Sequence, residues 1–333
     1  MSLRSAIKKH LPSYRTEKRM MERMTELEKN MREMDKKNEF LFWNSQMQPG
    51  ETMQDAKERM FAAMPKATGR LRNIQLAENY ILRRVKEICD ANGLQFFLMG
   101  GTLLGAVRHK GFIPWDNDVD IGIMKEDYLK LREILAKDKE LSLEYYYNYS
   151  AGLKISKVKY RDNEVFFIDV FVFDYIDATA ETADEVWADS QRANFEYSMK
   201  LRELCAPYAV RKVCRPESNP ELDKAVDTFE AEFLKKYDYI GHGDYFCEPV
   251  DCPYWSRDPR GIMPVKDYLP LVKDAVEFEG VKYDAWKNFD KALEHMYGDI
   301  WRLPFSVSEP HTTEFDEGFD EAVEYLRKNG IVE

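Results

Sequence analysis

Two carboxylates, Asp118 and Asp120, flank Val119 at the head of a short apolar run that continues Ile121-Gly122-Ile123-Met124. In a strand, residues i and i+2 project to the same face, so this spacing predicts two acids aimed one way. Side by side they repel unless a cation lies between them. Hard carboxylate oxygens suit Mg²⁺ or Mn²⁺, with phosphate oxygens completing the shell. For a lone Asp-x-Asp the ordinary alternative is a solvated strand end. A third acid, Asp169, interrupts the apolar run from Val165 to Phe171. A charge inside a buried strand is costly unless it is paired or bound to metal. The pairing alternative is a salt bridge to Lys154, Lys157 or Arg161. Two carboxylates on one strand and a third on its neighbour are the arrangement of metal-assisted phosphoryl transfer. Asp118, Asp120 and Asp169 are therefore the expected catalytic and metal-holding residues.

The elements around these acids can be read from periodicity. A helix is expected over 68–91, with Leu71, Ile74, Ile81, Val85 and Ile88 on one face and Asn92-Gly93 as its stop. Residues 95–99 read as a buried strand that runs into Gly100-Gly101-Thr102 and a short helix. Glycines at such a junction let the backbone approach a ligand, and the amides at a helix start favour phosphate. Further strands are expected at 119–124, 143–148, 154–160 and 165–173, and helices at 126–137, 183–204 and 219–236. A proline-rich stretch over 240–275 precedes a strand pair at 276–285, a helix ending at Tyr297-Gly298 and a last helix near 316–328. Arg108, His109 and Lys110 lie between the glycine turn and the acids, either as phosphate contacts or as a basic helix end. Lys154 and Lys157 fall on a strand beside Asp169. Asp116 either supports the metal ligands from behind or caps the turn before the strand.

The N-terminal 45 residues are helical in pattern, and Met20, Met24, Leu27, Met31 and Met34 alternate in steps of four and three. That is a short heptad seam, serving either a partner helix or self-association over 18–42, or packing onto its own domain. Residues 1–19 hold six Lys or Arg against one Glu, which invites a membrane-surface or partner role. Overall the chain has 333 residues, 44% hydrophobic and 13% aromatic, enough to bury a substantial core. The net charge of −11 argues against general nucleic-acid binding. Five cysteines without a Cys-x-x-Cys pair read as reduced thiols. No stretch is long and apolar enough to span a bilayer, so a cytoplasmic protein, at most peripheral at the inner face of the membrane, is expected.

The block GGTLLGAVRHKGFIPWDNDVDIGI, residues 100–123, resembles the defining segment of the LicD family, the group of bacterial phosphocholine transferases and fukutin-type enzymes. FIDVFVFD at 167–174, FEG at 278–280 and LEHMYGDIWRLP at 293–304 are similar to further family elements. The resemblance covers about residues 70–305. Asn117 stands where the family has the middle acid of its Trp-Asp-Asp-Asp run, Val172 where it has proline, and KYDAW where a proline-rich stretch follows Phe-Glu-Gly. The resemblance implies an α+β nucleotidyltransferase-like fold, a mixed sheet flanked by helices with an N-terminal helical extension. It divides the chain into an extension over 1–66, a catalytic domain over 67–310 and a C-terminal helix over 311–333. It also implies transfer of a phospho-alcohol such as phosphocholine or ribitol phosphate from a CDP-linked donor to a hydroxyl of a cell-surface glycan or its precursor. Mg²⁺ or Mn²⁺ would sit on Asp118, Asp120 and Asp169. Gly100, Gly101, Thr102, Arg108, His109 and Lys157 would meet phosphate, and Asp116 would orient ligands. The alternatives are transfer of a nucleotide from an NTP to a small molecule, and a non-catalytic scaffold of a glycan-assembly complex.

Overall fold

The computed structural model describes residues 12–161, 163–209, 213–247, 262–302 and 318–331. The first eleven residues of the basic N-terminal stretch, and Cys252, lie outside them. Contacts divide the chain into two compact units, Met1–Phe61 with Trp301–Phe305, and Ala62–Ile300 with Ser306–Glu333.

In the first unit, α1 (Pro12–Gln46) is a 35-residue helix and α2 (Met53–Ala62) a short one. The Pro49-Gly50 break between them is realised with Gly50 at φ 88°. Thr52 and Asp55 cap α2 reciprocally: the Thr52 amide donates to Asp55 Oδ2 at 2.8 Å, and the Asp55 amide donates to Thr52 Oγ1 at 3.2 Å. Trp43, fully buried, packs on Phe61 with ring centroids 6.0 Å apart, and Phe61 meets Trp301 at 5.9 Å. Arg302 reaches Asp35 at 3.3 Å.

The second unit is a mixed α+β architecture. Helix α3 (Gly69–Asn92) buries Ile74, Ile81, Leu82 and Val85, worth about 1.5–3 kcal/mol for each side chain removed from water. Gly93, at φ 66°, ends it and donates its amide to the Cys89 carbonyl. The central sheet contains β1 (Phe96–Leu98), β2 (Asp120–Met124), β3 (Leu141–Asn148), β4 (Leu153–Tyr160), β5 (Asn163–Ile176) and β6 (Val213–Cys214), in the order β1-β2-β5-β4-β3-β6. Two more strands, β7 (Tyr245–Cys247) and β8 (Met263–Pro264), extend from β5. Strands β2 and β5 are parallel, and the other pairs are antiparallel. Helix α4 (Gly100–His109) crosses from β1, and α5 (Lys125–Leu135) follows β2 directly.

Helices α6 (Ala183–Cys205) and α7 (Pro220–Lys236) bury Tyr197, Leu201, Leu222 and Phe233 in one core with Tyr145 and Tyr147 of β3. Both β3 tyrosine hydroxyls donate to Asp223. A short helix, α8 (Val265–Tyr268), precedes the separate hairpin of β9 (Val272–Phe278) and β10 (Val281–Ala285). Helix α9 (Phe289–Tyr297) ends at Gly298, φ 73°. Helix α10 (Phe319–Lys328) lays Phe319 against Phe166 of β5, centroids 5.8 Å apart. Among the described residues, no helix is long and apolar enough to cross a membrane.

Two expectations change in detail. Strand β5 runs on to Ile176 because Asp174–Ile176 pair with β7, a partner whose distance along the chain hides it from local pattern. Strand β2 opens at Asp120, so Asp118 precedes it instead of sharing its pleat.

Candidate active site

The parallel register of β2 and β5 sets Asp120 directly beside Asp169, on strands about 4.8 Å apart. On the other side of Asp169 the antiparallel register of β4 supplies Lys157, whose Nζ lies 3.5 Å from the Asp169 carboxylate and over the Phe167 ring. The row therefore reads Asp120, Asp169, Lys157 across three adjacent strands. Asp169 is not sealed in the core: Phe166, Ile168 and Val170 are buried while Phe167, Asp169 and Phe171 alternate on a half-open face. Contrary to the expectation of a continuously buried run, burial alone does not force a partner on Asp169. The pairing alternative is realised in the Lys157 contact, which leaves the carboxylate partly exposed.

Asp120 is buried at the start of β2, and its backbone is held at both polar groups. Its amide donates to Thr102 Oγ1 at 2.8 Å, and its carbonyl accepts from the Met99 amide at 3.0 Å. Thr102 thus fixes Asp120 through its side chain while its own amide lies in the first turn of α4. The amides of Gly100, Gly101 and Thr102 have no carbonyl one turn back within the helix, which is what makes this end a phosphate site in principle. Gly100, at φ 50°, makes the sharp entry that a β-carbon would strain.

Gly101 has a second reason to lack a side chain: a β-carbon there would lie 2.6 Å from Asp116 Oδ2. Asp116 is tucked beneath this turn. Burial, followed by the charge and hydrogen bond of Asp118, raises its pKa to about 8. Asp118 itself is exposed at the mouth. The loop carrying both acids is anchored by Gln75 of α3, buried, whose Nε2 donates to the Asp116 carbonyl at 2.9 Å.

Arg108 is buried, and its Nη1 donates to the Ile300 carbonyl at 3.0 Å. Burial lowers its pKa to about 10, with Tyr297 and Asp116 pulling the other way, so it stays a cation near neutral pH. Burial and then Arg108 drive the pKa of His109 down to about 3, leaving a neutral ring edge-on to Trp115. Lys154 is drawn off to Glu230 of α7 at 3.4 Å and over the Tyr145 ring. A cavity of about 240 Å³ there is lined by Lys125, Arg132, Lys154, Asp174 and Glu230 among others, and its Lys125–Asp174 and Lys154–Glu230 pairs are internally balanced.

Two further residues belong to the site's electrostatics. Glu78 of α3 is fully buried, and among the described residues neither of its carboxylate oxygens has a hydrogen-bond partner. Burial, then Asp118, Asp169 and Asp116, push its pKa well above the ordinary carboxylate range. The signal is in the sequence: Glu78 falls on the apolar face of α3, between Ile74 and Ile81, where a charge is out of place. Tyr297 ends α9 and is 42% exposed, but desolvation of its phenol, then Asp120, Asp116 and Asp118, drive that group upward.

The Phe-Glu-Gly corner acts as a clamp. Glu279 bonds Lys66 and Arg72, each at 2.8 Å, and its amide donates to the Lys110 carbonyl at 2.9 Å, holding the chain that leaves α4.

Among the described residues, no group of three His, Cys, Asp or Glu side chains is arranged closely enough to hold a metal. The donor chemistry nonetheless suits a hard divalent cation. Asp120 and Asp169 are neighbours across β2 and β5, Asp116 couples to Asp118, and burial first, then these acids, raise Asp116 to about 8 and Glu78 well above the ordinary range, so the donors present are hard carboxylate oxygens.

The profile of the family described as "LicD/FKTN/FKRP, nucleotidyltransferase domain" matches residues 93–210, a span holding the glycine turn and the aspartates. The lipopolysaccharide cholinephosphotransferase LicD of Haemophilus influenzae is 25% identical over 255 residues, 70% of this chain and 92% of that protein. The human ribitol-5-phosphate transferase FKTN is 25% identical over 203 residues, 58% of this chain and 39% of its own length. A segment of 45 residues is 53% identical to the human ribitol 5-phosphate transferase FKRP, 14% of this chain and 9% of that one.

Proposed function

This chain belongs to the LicD/FKTN/FKRP nucleotidyltransferase family, and from that premise we propose that it is a phosphotransferase. It moves a phospho-alcohol, such as phosphocholine or ribitol phosphate, from a CDP-linked donor to a hydroxyl of a glycan or glycan precursor. The observation that carries this reading is the placement of Asp120 beside Asp169, with Asp120 tied by its amide to Thr102 in the first turn of the helix that follows the glycine turn.

In the reaction, the acceptor oxygen forms a bond to the β-phosphorus of the donor. The bond from that phosphorus to the bridging oxygen breaks, and CMP leaves. Gly100, Gly101 and Thr102 hold donor phosphate oxygens by their amides, and Arg108 adds positive charge behind them. Asp169, whose carboxylate lies 3.5 Å from Lys157 Nζ, takes the acceptor proton. Asp118, Asp120 and Asp169 are the residues that would hold Mg²⁺ or Mn²⁺, which when bound offsets the charge of the pyrophosphate and of the departing CMP. Asp116 and Glu78, whose pKa values are raised, hold their protons near neutral pH, and a bound cation would favour their ionised forms.

The test is incubation with CDP-choline, CDP-ribitol or CDP-glycerol and Mg²⁺, monitoring CMP. Asp120→Asn should slow CMP release by on the order of 10²–10⁴-fold while leaving the circular dichroism unchanged. CMP formation by the variant at the wild-type rate would refute the assignment. Pyrophosphate released from an NTP, with no CMP from any CDP-alcohol, would instead indicate nucleotide transfer.

A further inference from the structure

Helix α1 carries an apolar face that its own unit leaves uncovered. Assigning Met20 to position d places Met24, Met31 and Asn38 at a, and Leu27, Met34 and Leu41 at d, three heptads without interruption. The six apolar members are 53–64% exposed. The helix touches its own unit through a neighbouring side instead, with Asp35 bonded to Arg302 and Trp43 buried against Phe61. At about 1.5 Å per residue, a helix of 35 residues reaches about 52 Å, long enough to present the whole seam.

The flanking charges say what covers it. Positions g carry Arg23, Asn30 and Lys37, and positions e carry Glu28 and Asp35 after Met21, so one flank is basic and the other acidic. In a parallel pair, each g faces the e position five residues on in the partner, and Arg23 meets Glu28. In an antiparallel pair of identical helices, e faces e and g faces g, so acid would meet acid and base would meet base. A single asparagine at a, here Asn38, is also the residue that fixes register in two-stranded coils by pairing with its own copy. We infer that residues 20–41 of α1 form a parallel, two-stranded coiled coil with a second copy of this chain, in register at Asn38. The inference is independent of the chemistry assigned to the aspartates.

Sedimentation of the full chain over a concentration series should show reversible association to twice the monomer mass. Met31→Glu, at an exposed a position that cannot disturb the monomer's core, should abolish it. Arg23→Glu should weaken association at least several-fold, and Arg23→Glu combined with Glu28→Arg should restore it. Asn38→Cys should yield a disulfide-linked dimer under mild oxidation, because the two a positions face each other only in the parallel arrangement. A wild-type chain that stays monomeric at tens of micromolar overturns the inference, including the case in which it co-sediments with anionic phospholipid vesicles. A dimer unaffected by Met31→Glu, or an Asn38→Cys variant that does not cross-link, overturns it as well.

Discussion

Gly101 shows how a backbone position can control the chemistry of a side chain fifteen residues away. Its missing β-carbon leaves room for the Asp116 carboxylate, which lies close enough to Asp118 for their charges to couple. Gly101→Ala should therefore fold, since the helix continues unaltered, yet displace Asp116 and the loop that bears Asp118. A displacement of about 1 Å at a reacting centre costs about 10²-fold in rate, so CMP release by this variant should fall by that order at unchanged far-ultraviolet dichroism. Full activity would show that the turn does not depend on this close approach. Gly122 illustrates the same point away from the chemistry, because a β-carbon there would run into the Phe97 ring.

At the scale of elements, the site depends on a strand, a helix and a second strand being locked to one another. The lock between α4 and β2 is the buried Thr102 hydroxyl accepting the Asp120 amide. Thr102→Val keeps the shape but leaves that amide buried without an acceptor, which should cost about 1–3 kcal/mol in denaturant unfolding. Thr102→Ser should recover most of it. Equal stability of the Val and Ser variants would mean that another acceptor takes the amide. The local motif marks Thr102 for phosphate alone; its side chain holds a strand, a role that depends on a residue eighteen positions later. Likewise Arg108 and His109 read as phosphate contacts or a basic helix end, whereas burial makes one a tethered guanidinium and the other a neutral ring.

For the molecule as a whole, stability should follow opposing titrations. Asp116 and Glu78 release their protons near 3.8 and 4.5 when unfolded, but at about 8 and well above 4.5 when folded. Between those values the folded state binds more protons, so the metal-free protein loses stability as pH rises toward about 8. Glu279 acts oppositely. Burial favours its neutral form, but the hydrogen bonds from Arg72 and Lys66 outweigh it and hold its pKa below 4.5. Its contribution is present above that value and lost as pH falls through the folded pKa. Glu78→Gln should consequently raise the Tm of the metal-free protein more at about pH 8 than at about pH 5. An equal shift at both would mean that the folded pKa of Glu78 is not raised above its unfolded value.

The sequence by itself determined the order of the long helices and of β1 to β5, the glycine turn and the acids, because hydrophobic period, turn residues and a dense local motif are all written within short contiguous stretches, whereas α2, α8 and the short strands β6 to β8 carry no such signal. The pair Asp118 and Asp120 reads as two positions of one strand, whereas β2 opens only at Asp120. What the tertiary structure decided is which carboxylates stand together. Asp120 meets Asp169 through a parallel register, Lys157 joins by an antiparallel one, and Glu78 arrives from a helix lying well ahead of the motif in the chain. Those neighbours are set by strand pairing and helix packing across long stretches of chain, and the burial that shifts Asp116 and Arg108 exists only once those layers have closed around them.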